Sequence, residues 1–355
     1  MRRLLTVITI DEIDKWNSIV KGFENYDVYY LAQFTKAFKA IGDGEPILFY
    51  YEDNNIIAMN VAMKRDIESD FTFKGKIPRN AYFDLSTPYG YGGFLIQGKV
   101  TKESLKSLNE EYSFICRREG IISEFVRFHP VLNNAEDLDL IYDIMKLGNT
   151  ITMSLTSQNE IWSNLSTNKK RWIKKAKQVG VEIYWGRDPW FFDKFKKMYY
   201  DTMKKNNARD YYYFDQKFFN SVLKDLLYHS IIFYAVYEEK IISMVLVLHC
   251  HGQIHHHLSA SDQDYQHLAS TNLIMYEIAN WGCENGYKTF HLGGGVGSKE
   301  DNLSRFKSGF NKKSNTIFSI GKKIFDDNRY KELIEIRERE RDFTESELFF
   351  PLYRI

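Results

Sequence analysis

Apolar and polar positions run through this chain in the same order twice. Residues 49–63, FYYEDNNIIAMNVAM, align without a gap with residues 234–248, YAVYEEKIISMVLVL, with Ile-Ile-x-Met in register. Two short apolar runs around a polar turn predict a β-hairpin in each place. An alternating segment follows each one, NAYFDLSTPYGYGG (80–93) and QIHHHLSASDQDYQHLAS (253–270), which predicts a strand entering a loop. Next comes a helical pattern that ends at glycine and enters a strand: LNEEYSFICRREG into IISEFVRFHP, then TNLIMYEIANWGCENG into YKTFHLGG. Gly120 and Gly286 are the expected helix C-caps. Each half therefore reads hairpin, strand, loop, helix, strand, an α/β unit with a mixed sheet flanked by helices. Two further helices, PWFFDKFKKMYYDTMKKN and FDQKFFNSVLKDLLYH, are expected before the second hairpin.

KLGNTITMSLTSQNE, without helical periodicity and rich in turn-like residues, marks the junction of the halves. The expected division is a first domain over 1–150, a second over 151–327 and a tail over 328–355. That tail combines a charged helix, RYKELIEIRERERDF, with an apolar end, FFPLYRI, whose aromatic residues are expected to dock on the body. At 355 residues two cores are in order, and 44% hydrophobic residues exclude a disordered chain. A net charge of +1 means that any polyanion must be met by local patches, and no DNA partner is expected. Three scattered cysteines without a C-x-x-C pair indicate neither disulfides nor zinc. MRRLLTVITIDEI resembles a signal peptide but meets Asp11 and Glu12 at once, so it is read as a first strand. No apolar run approaches the ~20 residues of a membrane helix. The expected compartment is the cytoplasm.

Candidate chemistry lies in four stretches. HLGGGVGSKEDNLSRFKSGF (291–310) fails the phosphate-loop pattern, because Ser298 separates the last glycine from Lys299, and fails the dinucleotide pattern at position 298. Its glycines suit a sharp turn after a strand, with Lys299, Arg305 and Lys307 displayed around it. TPYGYGG offers Gly90, Gly92 and Gly93, whose backbone N–H groups suit an anion, beside Tyr89 and Tyr91, which suit a base or sugar; the alternative is a packed aromatic turn. KKRWIKKAK (169–177) places Arg171, Lys174 and Lys175 on one helical side, either a solvated face or a phosphate clamp, with Trp172 and Ile173 as anchors. VRFHP puts Arg127 and His129 on one strand face, with His129 a satisfied structural histidine ahead of a catalytic base. The run His255, His256, His257 alternates faces in a strand and cannot converge on one ion, so no metal is expected.

The order of elements, taken twice, resembles the GNAT acyltransferase fold in tandem, as in the Fem family of peptidoglycan aminoacyl transferases and their BioF2-like acetyltransferase relatives. SNLSTNKKRWIKKAKQVGVEI, the helix pair FKKMYYDTMKKNN and YYYFDQKFFNSVL, the segment ASTNLIMYEIANWGCENGYKTFHLGGG and the Phe-Lys-x-x-Phe signature of Phe306, Lys307 and Phe310 are similar to Fem segments, over about residues 160–325. STPYGYGG, SEFVRFHP and FFPLYR look more like the BioF2-like relatives. The resemblance implies an N-acyltransferase acting on an amine of a cell-envelope precursor, an amino sugar or a peptidoglycan peptide that is small or nucleotide-linked. The first domain would hold the acceptor and the second the donor, acyl-CoA or aminoacyl-tRNA, with tRNA a partner in the latter case. It implies that Lys307 stabilises the donor phosphate or the developing oxyanion, and that Tyr89, Gly90, Tyr91, Gly92, Gly93 and Arg127 line the acceptor loop. DQDYQHLAST lacks the glycine-rich pyrophosphate pattern of coenzyme A binders, and Asn272, with Ser270 and Thr271, offers a helix N-terminus instead. Asp84 and His129 are the candidate general bases. A specifically peptidoglycan-directed, tRNA-dependent transferase and a non-catalytic binding protein are the alternatives.

Overall fold

A computed structural model describes residues 4–340 and 349–355. The chain divides into two compact units, residues 1–147 with 318–355, and residues 148–317.

In unit 1, strand β1 (Leu5–Thr9) leads to helices α1 (Ile13–Lys21) and α2 (Ala32–Ala40), then to the expected hairpin of β2 (Glu45–Glu52) and β3 (Ile56–Asp66). Asp53 closes its turn, with Oδ1 accepting the N–H groups of Asn55 and Ile56 at 2.7 Å each. Strand β4 (Phe83–Ser86) and a short β5 (Leu95–Gly98) both pair with β3. Helix α3 (Lys102–Arg118) opens on a capping box between Thr101 and Ser104, which satisfies N–H groups that the first turn leaves open. It stops before Gly120, whose φ of 70° only glycine adopts without strain. β6 (Ile121–Arg127) then runs parallel to β4.

The next strand, β7 (Asp143–Ser154), carries the chain from unit 1 into unit 2. This is the stretch expected as a turn-like junction. Its alternation of apolar and hydroxyl side chains, ITMS at the end, suits an extended strand, which its polar content disguises. In unit 2 follow α4 (Gln158–Asn164), α5 (Thr167–Gln178), β8 (Glu182–Gly186), α6 (Pro189–Lys205), α7 (Gln216–Asp225), the hairpin β9 (Ser230–Tyr237) and β10 (Lys240–Cys250), β11 (Gln253–Ser261), α8 (Ser270–Glu284), β12 (Thr289–Gly293) and α9 (Asn302–Ser308). The hairpin turns on Glu238 and Glu239, both at positive φ, the conformation that matches the twist of two paired strands.

The two sheets have one plan. Unit 1 runs β1, β2, β3, β4, β6, antiparallel except for β4 with β6; unit 2 runs β8, β9, β10, β11, β12, antiparallel except for β11 with β12. The repeat is therefore longer than the sequence indicated: a strand and two helices precede the hairpin in both units. A final antiparallel strand closes each sheet, and its source is unexpected. Residues 151–154 of β7 close unit 2 against β12, while residues 320–324 return to close unit 1 against β6. Residues 318–327, expected in the second domain, consequently belong to unit 1, and so does the tail. Each unit has its own core: Phe49, Tyr51, Leu85, Phe94, Tyr112 and Phe128 in unit 1, and Phe233, Val245, Val247, Ile254, Ile278 and Phe290 in unit 2.

The helix Asp327–Glu338 and the apolar end pack on a small second cluster of unit 1, with Tyr353 fully buried beside Phe73, Tyr330 and Leu333. Docking of the tail is thus explained by burial of its aromatic ring. Residues 341–348, part of the charged segment RYKELIEIRERERDF and of its continuation, lie outside the described residues.

Candidate active site

The parallel pair in each unit is where the two differ. In unit 2, β11 and β12 pair only from Gln253 with Thr289 to His255 with His291, although β11 continues to Ser261 and β12 to Gly293. Beyond that point the two strands no longer pair, and at the far end of β11 the Ser261 N–H donates to Thr202 Oγ1 at 3.2 Å. In unit 1 the same place is stitched shut. Pairing runs to Ser86 with Phe125, then Thr87 N–H donates to Phe125 O at 3.1 Å and Gly92 N–H to Arg127 O at 2.7 Å. Arg127 Nη2 donates to Thr87 O at 2.8 Å and Pro88 O at 3.0 Å.

At the end of β12 lies the glycine cluster. Asp301 ties it to α9: its Oδ1 accepts Ser304 N–H at 2.8 Å as the N-cap, and its Oδ2 accepts Val296 N–H at 2.9 Å. A Cβ on Gly295 would lie 2.1 Å from Lys299 O, so the turn closes only over glycine. From α9, Lys307 points inward, 8% exposed, and its Nζ donates to Gly294 O at 2.8 Å. Burial brings its pKa from 10.5 down to about 8, against a smaller opposing pull from Asp301. His256 is neutral near pH 7: burial first, then the Lys307 ammonium and the neighbouring His257, bring its pKa to about 3. On either side of it His255 and His257 are buried, and β11 carries a bulge at His257.

Of the residues expected around Lys307, Phe306 is half-buried beside it, whereas Lys299 and Arg305 are exposed. Arg171 and Lys174 stand exposed on α5 and Lys175 is half-buried, while Ile173 is buried as the anchor. Asn272 is turned inward: its Oδ1 accepts from Lys169 Nζ at 2.7 Å. Lys169 is the residue that sequence reasoning missed. It is 6% exposed, with Nζ 3.3 Å from the Phe306 ring centroid and 4.2 Å from that of Phe310. The signal was present, since Lys169, Ile173 and Ala176 share the i, i+4, i+7 spacing of the buried face of α5. Six basic residues in nine concealed it.

In unit 1 the glycine-rich loop is a packed turn. Gly90 lies against Tyr29, whose Cε1 would be 2.3 Å from a Cβ there. Gly92 spends its N–H on Arg127 O and its carbonyl accepts from Asn134 Nδ2 at 2.8 Å; Gly93 O accepts from Tyr30 OH at 3.0 Å. The expectation that these glycines face an anion fails at Gly92, because the strand pairing takes its donor. Tyr91 packs its ring 5.4 Å from both Tyr29 and His129, and Tyr89 lies 6.3 Å from Phe38.

Neither expected base is placed to act as one. His129 is fully buried, with Nε2 2.9 Å from Asp27 Oδ2 while Nδ1 accepts Leu132 N–H at 3.1 Å, so both ring nitrogens are engaged. Asp84 is also fully buried. Its Oδ1 accepts from Arg65 Nε at 2.7 Å, and its Oδ2 accepts from Arg354 Nε and, at 3.2 Å, from Tyr353 OH. Burial by itself would raise its pKa, but the two guanidiniums outweigh that and hold the carboxyl below its ordinary range. A carboxylate so paired takes no proton near pH 7. It fastens the tail.

Residues 163–308 match the acetyltransferase (GNAT) domain family. Among curated proteins, no sequence matches the chain. Solved structures share its fold at low identity. FemX superposes with a TM-score of 0.64 at 13% identity, over 92% of this chain and 98% of FemX. A protein of unknown function from Bacteroides thetaiotaomicron gives 0.57 at 11%, over 90% and 99%. A chain from Agrobacterium fabrum, named as the C-terminal domain of a lysylphosphatidylglycerol synthetase, gives 0.56 at 13%, over 90% and 92%. Residues 163–308 thus form a GNAT domain, of the N-acyltransferase class, within a chain that has the fold of FemX.

Proposed function

We propose that this protein moves an acyl or aminoacyl group from an activated donor, held by unit 2, to an amine of a cell-envelope precursor, an amino sugar or a peptidoglycan peptide, held by unit 1, in the cytoplasm. The observation that carries this reading is the buried Lys307 ammonium on Gly294 O, just past the point where β11 and β12 part. The amine nitrogen attacks the donor carbonyl and its lone pair forms the new C–N bond. Negative charge gathers on the carbonyl oxygen, where a buried ammonium is worth far more than in water. Collapse of the tetrahedral adduct expels the donor's alcohol or thiol, and the amine proton leaves with it. No covalent enzyme species is required, and positioning supplies much of the rate.

The donor is the ester of a charged tRNA or the thioester of acyl-CoA. The exposed Arg171 and Lys174 of α5 favour the former, and the GNAT match over residues 163–308 the latter. Transfer to a nucleotide-linked muramyl pentapeptide and to amino sugars is to be measured with acetyl-CoA and, separately, with charged tRNA under a ribonuclease control. Ribonuclease-sensitive transfer from charged tRNA with none from acetyl-CoA eliminates the coenzyme; failure of every donor with wild type overturns the catalytic reading in favour of a binding protein.

A further inference from the structure

Lys169 is built into its place from three sides. Its ammonium lies over the faces of Phe306 and Phe310, at 3.3 and 4.2 Å from their centroids, and donates to Asn272 of α8 at 2.7 Å. Its stem crosses Gly309, where a Cβ would stand 2.9 Å from both Lys169 Cγ and Cε. Ser166, the N-cap of α5, donates its backbone N–H to Gly309 O at 2.9 Å, so main chain and side chain fasten the same turn. Phe306 and Phe310 flank Lys307 on α9 and on the turn that follows it. α9 has only seven residues, too short to hold its place without tertiary packing. Burial draws the Lys169 ammonium toward a pKa of about 7, and the two ring faces oppose that by favouring the charged form.

We infer that Lys169 is a positioning residue for Lys307: it clamps the Phe-Lys-x-x-Phe turn onto α5 and α8, so that the Lys307 ammonium stays buried on Gly294 O. The Lys169 ammonium is itself engaged by the two rings and by Asn272. The inference rests on the reading that Lys307 serves in acyl transfer, but its test does not depend on that reading. Trace acetylation with acetic anhydride across pH 6–10, read by peptide mass spectrometry, gives the titration of Lys307 in the folded protein without any substrate. In wild type the midpoint is expected near 8. In Lys169→Met, which keeps the length of the side chain and removes its charge, α9 loosens, water reaches Lys307, and the midpoint moves up by about one unit or more toward the ordinary lysine value. Lys169→Arg, which restores a cation over the rings, should return it part of the way. A folded Lys169→Met protein whose Lys307 midpoint stays near 8 overturns the inference. If transfer proves measurable, kcat falls about 10- to 100-fold in Lys169→Met with KM for the acceptor little changed, the signature of misplacement. If wild type transfers from no donor, the functional reading fails while the labelling result still decides the role of Lys169.

Discussion

Replacing Asp84 with Asn removes one charge from a fully buried site, takes the counter-ion from Arg65 and leaves Arg354 with Asp70 alone, 3.3 Å away. Arg65 and Arg354 are 28% and 14% exposed at the side chain, so each is only partly rehydrated when the carboxylate goes. Breaking a buried pair from one side costs about 3–5 kcal/mol, and the residual exposure of the arginines places the expected loss near the lower end, about 3 kcal/mol. The loss should be confined to unit 1. Hydrogen exchange in rising urea, read by peptide, separates peptides of residues 1–147 and 318–355 from those of 148–317. Arg354→Met and the double variant complete a cycle whose coupling energy is expected at about 1–3 kcal/mol. The acid limb has a defined sign. The carboxyl is depressed in the folded state, so its contribution is present above the unfolded value of about 3.9 and is lost as pH falls through the lower folded one. Asp84→Asn should therefore converge on wild type only in strong acid. Unchanged unit 1 stability at pH 7 together with abolished transfer would refute the argument and return Asp84 to the role of a base.

Three further outcomes are expected. Lys307→Met should lower kcat about 10²- to 10³-fold, as loss of a single oxyanion donor does; because the ammonium is the working form and its pKa is depressed to about 8, wild-type transfer should decline above pH 8, and Lys307→Arg should move that decline upward, which a pH–rate profile checks. Gly295→Ala should cut transfer while leaving the global fold intact by circular dichroism, since the added Cβ meets Lys299 O at 2.1 Å and Asp301 Oδ1 at 2.6 Å and must open the turn that leads into α9. The double variant Arg171→Ala, Lys174→Ala should stay within about 0.5 kcal/mol of wild-type stability and should weaken transfer from charged tRNA, with a shallower salt dependence, but not from acetyl-CoA.

The sequence carried the internal repeat, both hairpins, the glycine stops of α3 and α8 and the motif around Lys307, because each is written in neighbouring residues: an alternation of period two, a positive-φ glycine, a short spacing. It misled where one residue type serves two purposes. Lys169 is one of six basic residues in a nine-residue stretch, and only packing distinguishes the one under two phenyl rings from those in water. Asp84 and His129 have the chemistry of bases, and partners far along the chain, Arg354 and Asp27, occupy them.

By itself, then, the amino-acid order determined the two α/β units and the position of the signature lysine, since local propensity and periodicity act over a few residues. Tertiary structure alone decided which strand closes each sheet, which parallel pair parts and which is stitched by Arg127, and which polar groups are already engaged. Those outcomes depend on contacts between residues as much as 270 positions apart, where competition among pairings, and no local rule, selects the partner.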